Sequence, residues 1–261
     1  MREFFLAFLS SLGIHLALLQ TPETRNQSTI ELIVWNIGQG QWVSLSTQTE
    51  CLHFDMGGEH ADWKKMQIEC GKKLNYAYFS HWDVDHLSFA LKASKRLENF
   101  CVAAKPRGPC PSEKKRRDFL SLPDCHLKNS FDLEEIFQIP LGAQHLTSND
   151  YSRVFEYQHW AIIQGDSPKR EEKIWKRSVT SSSEIKVIVL GHHGSRTSTS
   201  SGLLERLPNL KMAIASSRTA RYGHPHEEVL KRLKEFGVAC LQTEFWGNIH
   251  IELPESRNAH P

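Results

Sequence analysis

The segment His81-Trp82-Asp83-Val84-Asp85-His86 concentrates side chains that can bind metal ions. Four potential ligands fall within six residues, directly after an apolar run at 74–80. In an extended loop, positions 81, 83 and 85 project to one side. Neutral imidazoles and ionised carboxylates from one short loop can hold two divalent cations. The alternative is a turn rich in His and Asp at a helix start. Two carboxylates two residues apart would repel each other there, so we favour the metal-binding interpretation.

Three further segments carry polar residues that could complete such a site. Gly191-His192-His193-Gly194-Ser195 follows a β-branched run and can add an imidazole, or it is a pair of surface histidines. In Gln164-Gly165-Asp166, Asp166 could bridge two cations, although Gly-Asp is also an ordinary turn. Tyr222-Gly223-His224-Pro225 begins an amphipathic helix, which is either a plain helix start or a place where His224 lies beside a bound phosphate.

The surrounding pattern predicts a mixed α/β domain with these segments at strand ends. Short β-branched and aromatic runs at 31–34, 42–46 and 51–54 are typical of an antiparallel meander. Further strands are predicted at 74–80, 185–190, 211–215, 238–243 and 249–253, with a pair of strands across a turn at 154–164, and helices at 87–97, 202–207 and 227–236. The segment 100–128, with four Pro and the basic run 114–117, is predicted to be an irregular insertion.

The composition limits the class of protein. The balance of 32 Lys and Arg against 30 Asp and Glu in 261 residues excludes a histone-like binder, and the 39% of hydrophobic residues excludes a disordered tail protein. The six Cys show no C-x-x-C spacing, which leaves the redox compartment open.

The uncharged apolar run at 4–19 is short for a membrane span and close to that of a signal peptide. We therefore predict a signal peptide or N-terminal membrane anchor at 1–22, a single domain at 29–254 and a tail at 255–261. The expected location is the periplasm or the outer face of the inner membrane, with membrane association through 4–19; the cytoplasm is the alternative.

Together these motifs resemble the metallo-β-lactamase-fold domain of the ComEC-type DNA-uptake proteins. The resemblance covers about Ile30 to Leu253 and rests on the Asn36–Gly40 turn, Phe54-Asp55-Met56-Gly57, Ser80-HWDVDH, Gly165-Asp166, GHHGS and Arg221–Pro225. The HxDxDH form is typical of that branch, whereas hydrolytic β-lactamases and glyoxalases carry HxHxDH. The resemblance implies a four-layer αββα sandwich, with a metal site along one edge between the two sheets.

The resemblance also implies a role for each site residue. The implied metal ligands are His81 and Asp83 for one ion, Asp85, His86 and His193 for the other, and Asp166 as the bridge. His192 is the less favoured imidazole of its pair. Asp55 would orient ligands, and Asn149 stands near the position of a further His ligand in the superfamily. Asp85 or Asp166 would orient the attacking hydroxide, and His224 would stabilise charge or protonate the leaving oxygen.

The implied activity is hydrolysis of a phosphodiester, above all in single-stranded DNA during competence, with two zinc or manganese ions. Between residues 92 and 117, nine Lys and Arg stand against two Glu, which would attract a polyanion or is simply a solvated loop. Two alternatives stay open: hydrolysis of a small ester such as a phosphocholine-type substrate, and a non-catalytic DNA-binding envelope module.

The chain departs from the family pattern in three respects. Gln41 and Glu244 stand where the family usually has Asp. ComEC proteins join this domain to a multi-span channel, whereas this chain has one short apolar run, so we expect the stand-alone hydrolase function without DNA translocation.

Overall fold

Two six-stranded β-sheets form the centre of the computed structural model, which describes residues 30–140, 143–144 and 146–253. The strands of the first sheet are β1 (Ile30–Val34), β2 (Gln41–Ser46), β3 (Glu50–Gly57), β4 (Leu74–Tyr78), β5 (Phe100–Ala104) and β12 (Ile249–Leu253). Their order is β12-β1-β2-β3-β4-β5. The β3, β4 and β5 strands are parallel, and the other neighbours pair antiparallel, which confirms the predicted meander.

The second sheet has the order β11-β10-β9-β8-β7-β6. Its strands are β6 (Leu133–Glu135), β7 (Phe155–Tyr157), β8 (Ala161–Ile163), β9 (Val187–Val189), β10 (Met212–Ala215) and β11 (Ala239–Gln242). From β8 to β11 the strands are parallel, whereas β6, β7 and β8 pair antiparallel.

Short helices cover the outer faces of both sheets. Over the first sheet lie α1 (Trp63–Cys70), α2 (Val84–Leu87), α3 (Ala90–Ala93) and α4 (Glu113–Leu120). Over the second lie α5 (Lys169–Trp175), α6 (Ser201–Leu204) and α8 (Glu227–Glu235). The remaining α-helices among the described residues are α7 (Thr219–Tyr222) and α9 (Thr243–Trp246), and 3-10 helices lie at Ser148–Tyr151 and Gly191–Gly194.

Alternation along the strands explains the four layers. Leu32 on β1 and Met212 on β10 belong to one buried cluster between the sheets. Their neighbours Ile33 and Ala213 point the other way, into the clusters beneath the helices. A strand with both faces buried must be apolar at every position, and such strands occur where helices cover the sheet. The αββα sandwich of the predicted α/β class is therefore confirmed.

The segment 100–128 is more regular than its prolines indicated. It contains β5 and α4, so the prediction of an irregular insertion is wrong for these parts. Ser112 caps α4 by accepting a hydrogen bond from the Lys115 amide, and Phe119 is buried against Phe79 and Trp82. In the basic run, Lys114, Arg116 and Arg117 are exposed, whereas Lys115 is half-buried.

Other predicted bounds also shift. The predicted helix 87–97 is divided into α2 and α3, and the strand predicted at 74–80 ends at Tyr78. The predicted signal or anchor at 1–22 and the tail at 255–261 lie outside the described residues. None of the described helices combines the length and hydropathy that a membrane span needs.

Two disulfides join segments of the first sheet and its helices, Cys51 to Cys70 and Cys101 to Cys125. The second closes a loop with a sequence separation of 24. Because such a bond restricts the unfolded chain, we expect Cys101→Ser with Cys125→Ser to lower the free energy of unfolding by about 3 kcal/mol in denaturant titrations. Cys110 lies outside both disulfides, so Cys110→Ser is the control. Equal losses in the two variants would contradict the second bond.

Candidate metal centre

The predicted site residues meet at one edge of the sandwich, where parallel strands of both sheets end. Asp55 lies near the end of β3, and His81 follows β4. In the second sheet Asp166 follows β8, and His192 and His193 follow β9. Because the carboxyl ends of parallel strands share one edge, residues far apart in sequence come together there.

The Asp166 carboxylate lies at the centre of this cluster and is only 2% exposed. Its Oδ1 atom is 3.0 Å from His86 Nε2 and 3.7 Å from His193 Nε2. Its Oδ2 atom is 3.9 Å from His81 Nε2 and 3.7 Å from His192 Nε2. Each oxygen therefore faces a different pair of imidazoles, which is the arrangement that a bridging carboxylate needs.

The two carboxylates of the loop 81–86, Asp83 and Asp85, lie on different sides of Asp166, each beside one of the imidazoles named above. Asp83 Oδ2 is 3.4 Å from His81 Nε2, and Asp85 Oδ2 is 3.2 Å from His193 Nε2. The ligand atoms of His81, His86 and Asp166 lie within 4.8 Å of one another, as do those of Asp85, His86 and His193. The structure thus brings together all six predicted ligands as two adjoining groups.

Hydrogen bonds on the far side of each ring orient the imidazoles. His86 Nδ1 is 2.7 Å from Asp55 Oδ2, so a proton on Nδ1 leaves the Nε2 lone pair facing Asp166. His193 Nδ1 is 3.1 Å from the Ser216 carbonyl, which can only accept and therefore fixes the same tautomer. Fixing the tautomer in this way is typical of metal-binding histidines.

Asp55 is itself held by several donors. It accepts hydrogen bonds from the Ser80 amide and hydroxyl, each at 2.7 Å, and from Gln41 Nε2 at 2.9 Å. The departure at Gln41 therefore supports Asp55 with a donor. The Ser148 hydroxyl donates to Asp83 Oδ1 at 2.6 Å, and the Ser216 carbonyl accepts from His193 Nδ1. The sequence does not predict either role, because an isolated Ser gives no signal.

The site contains three carboxylates, and several of its buried nitrogen and oxygen atoms have no hydrogen-bond partner among the described residues. Within the described part of the chain, the ion pairs of Asp83, Asp85 and Asp166 are all with imidazoles. Burial alone would raise the pKa of Asp166, but the positive charge that His86 and His193 carry when protonated outweighs burial and holds that pKa well below its usual value. The buried atoms that lack a hydrogen-bond partner among the described residues include Asp166 Oδ1 and Nε2 of His81, His86 and His193. Unsatisfied buried atoms are costly, and these fit a divalent cation.

Comparison with known proteins agrees with this geometry. No protein-family model matches the chain. The metallo-beta-lactamase fold protein YhfI from Bacillus subtilis superimposes over 86% of this chain and 100% of YhfI, with a TM-score of 0.54 and 12% identity. The chain has the metallo-β-lactamase fold.

Three curated proteins are similar in sequence to this metallo-β-lactamase-fold chain. Competence protein ComA of Neisseria gonorrhoeae is 26% identical over 89% of the chain and 33% of ComA. Recombination protein 2 of Haemophilus influenzae is 25% identical over 89% of the chain and 30% of the relative. ComE operon protein 3 of Bacillus subtilis is 28% identical over 68% of the chain and 24% of the relative. The chain thus spans a third or less of these relatives, and the predicted resemblance to ComEC-type proteins is confirmed.

Close backbone packing supports the loop 81–86, called the metal loop because it carries four of the predicted ligands. A Cβ on Gly57 would lie 2.4 Å from the Asp85 carbonyl carbon and 2.5 Å from the His86 nitrogen. Gly40 has φ +148°, and its Cβ would lie 2.7 Å from the Asp85 oxygen. Both glycines therefore let β2 and β3 touch the loop backbone.

His192, His224 and Asn149 lie on the more open side of the centre. The side chain of His192 is 30% exposed, and its Nδ1 is 3.3 Å from Asn149 Nδ2. The His224 ring is 5.9 Å from that of His192, between centroids. Burial, reinforced by His193 and His192, lowers the pKa of His224 to about 4, so its imidazole is neutral at pH 7.

Proposed function

We propose that this protein is a metal-dependent hydrolase that cleaves phosphodiester bonds in single-stranded DNA with two divalent cations. The observation that carries the proposal is the buried Asp166 carboxylate, whose two oxygens face two different pairs of imidazoles. Proteins named for competence and recombination are similar in sequence, which supports DNA as the substrate.

The geometry supports one assignment of the ligands. Asp85, His86 and His193 with Asp166 Oδ1 would hold one ion. His81 and Asp83 with Asp166 Oδ2 would hold the other, and His192 on that side would add the imidazole that Asn149 cannot supply. Imidazole suits zinc, and the added carboxylates suit manganese, so both ions fit the donor set.

The residues around the centre would act by positioning. Divalent ions held there would supply Lewis acidity and hydroxide at neutral pH. Asp85, which is partly exposed beside His193, would orient the attacking oxygen. His224 is neutral at pH 7, so it would donate a hydrogen bond to a phosphoryl or leaving oxygen as charge develops.

The basic segment, residues 92–117, contacts the metal loop through Lys115, which supports a polyanionic substrate. Lys115 Nζ donates to the Trp82 carbonyl at 3.0 Å, and Trp82 Nε1 donates to the Gly108 carbonyl at 2.9 Å. The neighbouring basic residues of α4 therefore stand within one helical turn of this contact. Their field would raise the local concentration of a polyanion.

An oxidising location is also part of the proposal. Disulfides persist in the periplasm and outside the cell and are rare in the cytosol, and this chain has two. Together with the apolar run at 4–19, they support export or anchoring at the outer face of the inner membrane.

Hydrolysis assays with manganese or zinc test the proposed function. We expect the wild-type protein to cleave bis-p-nitrophenyl phosphate and single-stranded DNA. In Asp85→Ala both rates should fall by about a hundredfold or more, since one ligand group loses its carboxylate. Asp124→Asn removes a carboxylate that pairs with Lys105 at the surface and should leave both rates unchanged. Bound metal without phosphodiester cleavage would contradict the function, and absence of metal would contradict the centre as well.

A further inference from the structure

A groove lies beside the metal loop between α2, α3 and α4. Its cavity of about 270 Å³ has an apolar wall that includes Val84, Leu87 and Leu91. The opposite wall carries Lys114 and Lys115. Pockets for small ligands usually enclose about 300–1,000 Å³, so this groove has the size for a single small group such as one nucleotide.

The groove begins at the metal loop itself. Val84 stands between Asp83 and Asp85 in the sequence, and its side chain is 60% exposed. Leu91, on the next helix, is 39% exposed. Both side chains line the same cavity, and Val84 stands directly between two of the proposed ligands.

The charge on the other wall is suited to a phosphate. The α4 helix carries four Lys and Arg against Glu113 and Asp118, and Asp118 also lines the groove. Lys115 is fixed by its bond to the Trp82 carbonyl, which leaves Lys114 as the cation at the opening. An apolar wall facing a lysine offers one face for a base and one cation for its phosphate, and single-strand binders likewise combine a surface that contacts bases with a positive groove that follows the backbone.

We propose that this groove binds one nucleotide of the single strand next to the bond that is cleaved, with its base on Val84 and Leu91 and its phosphate at Lys114. The inference rests on the proposed function, because it assumes that a nucleic acid strand crosses the metal centre. The proposal gives the basic segment a defined binding site for one nucleotide, in addition to a general electrostatic attraction of the strand.

Two groove variants and two matched controls test the subsite. Leu91→Glu and Lys114→Glu alter the groove. Leu120→Glu, a 51% exposed position on α4, and Lys64→Glu, on α1, make the same changes outside its lining. Binding of a fluorescein-labelled strand of thymidine nucleotides is followed by anisotropy in EDTA, which stops cleavage. Turnover of bis-p-nitrophenyl phosphate, which has no nucleotide, is followed with manganese.

We expect strand binding to weaken about tenfold in both groove variants and less than about twofold in the controls. Lys114→Glu should also lower the slope of log affinity against log salt by about one or more. Turnover of the small ester should stay unchanged in Leu120→Glu and Lys64→Glu. Equal strand binding by groove variants and controls, or no strand binding by the wild type, would overturn the subsite. Absence of ester turnover in the wild type would refute the proposed function, while strand binding would still test the groove.

Discussion

Asp166→Asn should abolish metal-dependent hydrolysis, with kcat/KM reduced by at least about a thousandfold. The amide keeps the shape of the carboxylate but has one acceptor oxygen, whereas both Asp166 oxygens face imidazole Nε2 atoms. One of the two ligand groups would then meet an NH₂ donor instead of an anion. We therefore expect metal analysis of the purified variant to find one ion or fewer per chain.

The control for this variant is Asp124→Asn, which makes the same chemical change at a carboxylate that is paired with Lys105 on the surface. It should keep full activity and full metal content. Thermal unfolding of both variants shows whether the fold is retained. If Asp166→Asn keeps two ions and near wild-type turnover, the bridging role is wrong.

Asp55→Asn should weaken one of the two metal sites by about 10–100-fold without removing a ligand. Asn can still accept from the Ser80 amide, but an NH₂ group in place of Oδ2 would face the donors of Gln41, Ser80 and His86. The His86 ring then loses the acceptor that fixes its tautomer. Titration calorimetry with manganese measures the change, and we expect only the site that contains His86 to be affected.

A matched outcome separates this positioning effect from loss of structure. Circular dichroism and thermal unfolding of Asp55→Asn should show a folded protein, and excess manganese should restore most of the activity. Rescue by metal is expected only if the residue acts through metal affinity. Activity that stays low at saturating manganese, with unchanged affinity, would contradict the assigned role of Asp55.

The metal loop and the strand ends were predictable because their signals are local. Four ligands within 81–86 after an apolar run define a site by spacing alone, and alternation defines the strands. The residue types alone do not single out Asp166 as a ligand, since Gly-Asp is common in turns. Asp166 becomes central only because β8 ends near β4 and β9 at the shared edge of the two sheets. This contact joins residues far apart in the sequence, so no local spacing or periodicity predicts it.

Other features depended on tertiary context that the sequence does not display. The side of the centre on which His192 lies follows from left-handed φ values at His192 and His193, which a GHHGS string does not reveal. The Ser216 carbonyl that orients His193 is a backbone group and carries no residue signal. The α4 helix was missed because prolines flank it closely, while the aromatic contact that stabilises it, Phe119 on Phe79, joins distant segments.

Anomalous diffraction from crystals grown with manganese or zinc tests the central claim most directly. We predict two peaks on opposite sides of the Asp166 carboxylate, one contacting Asp85, His86 and His193 and the other contacting His81 and Asp83. A single peak, or two peaks away from Asp166, would contradict a two-ion centre, and with it the account of how this fold would cleave a phosphodiester.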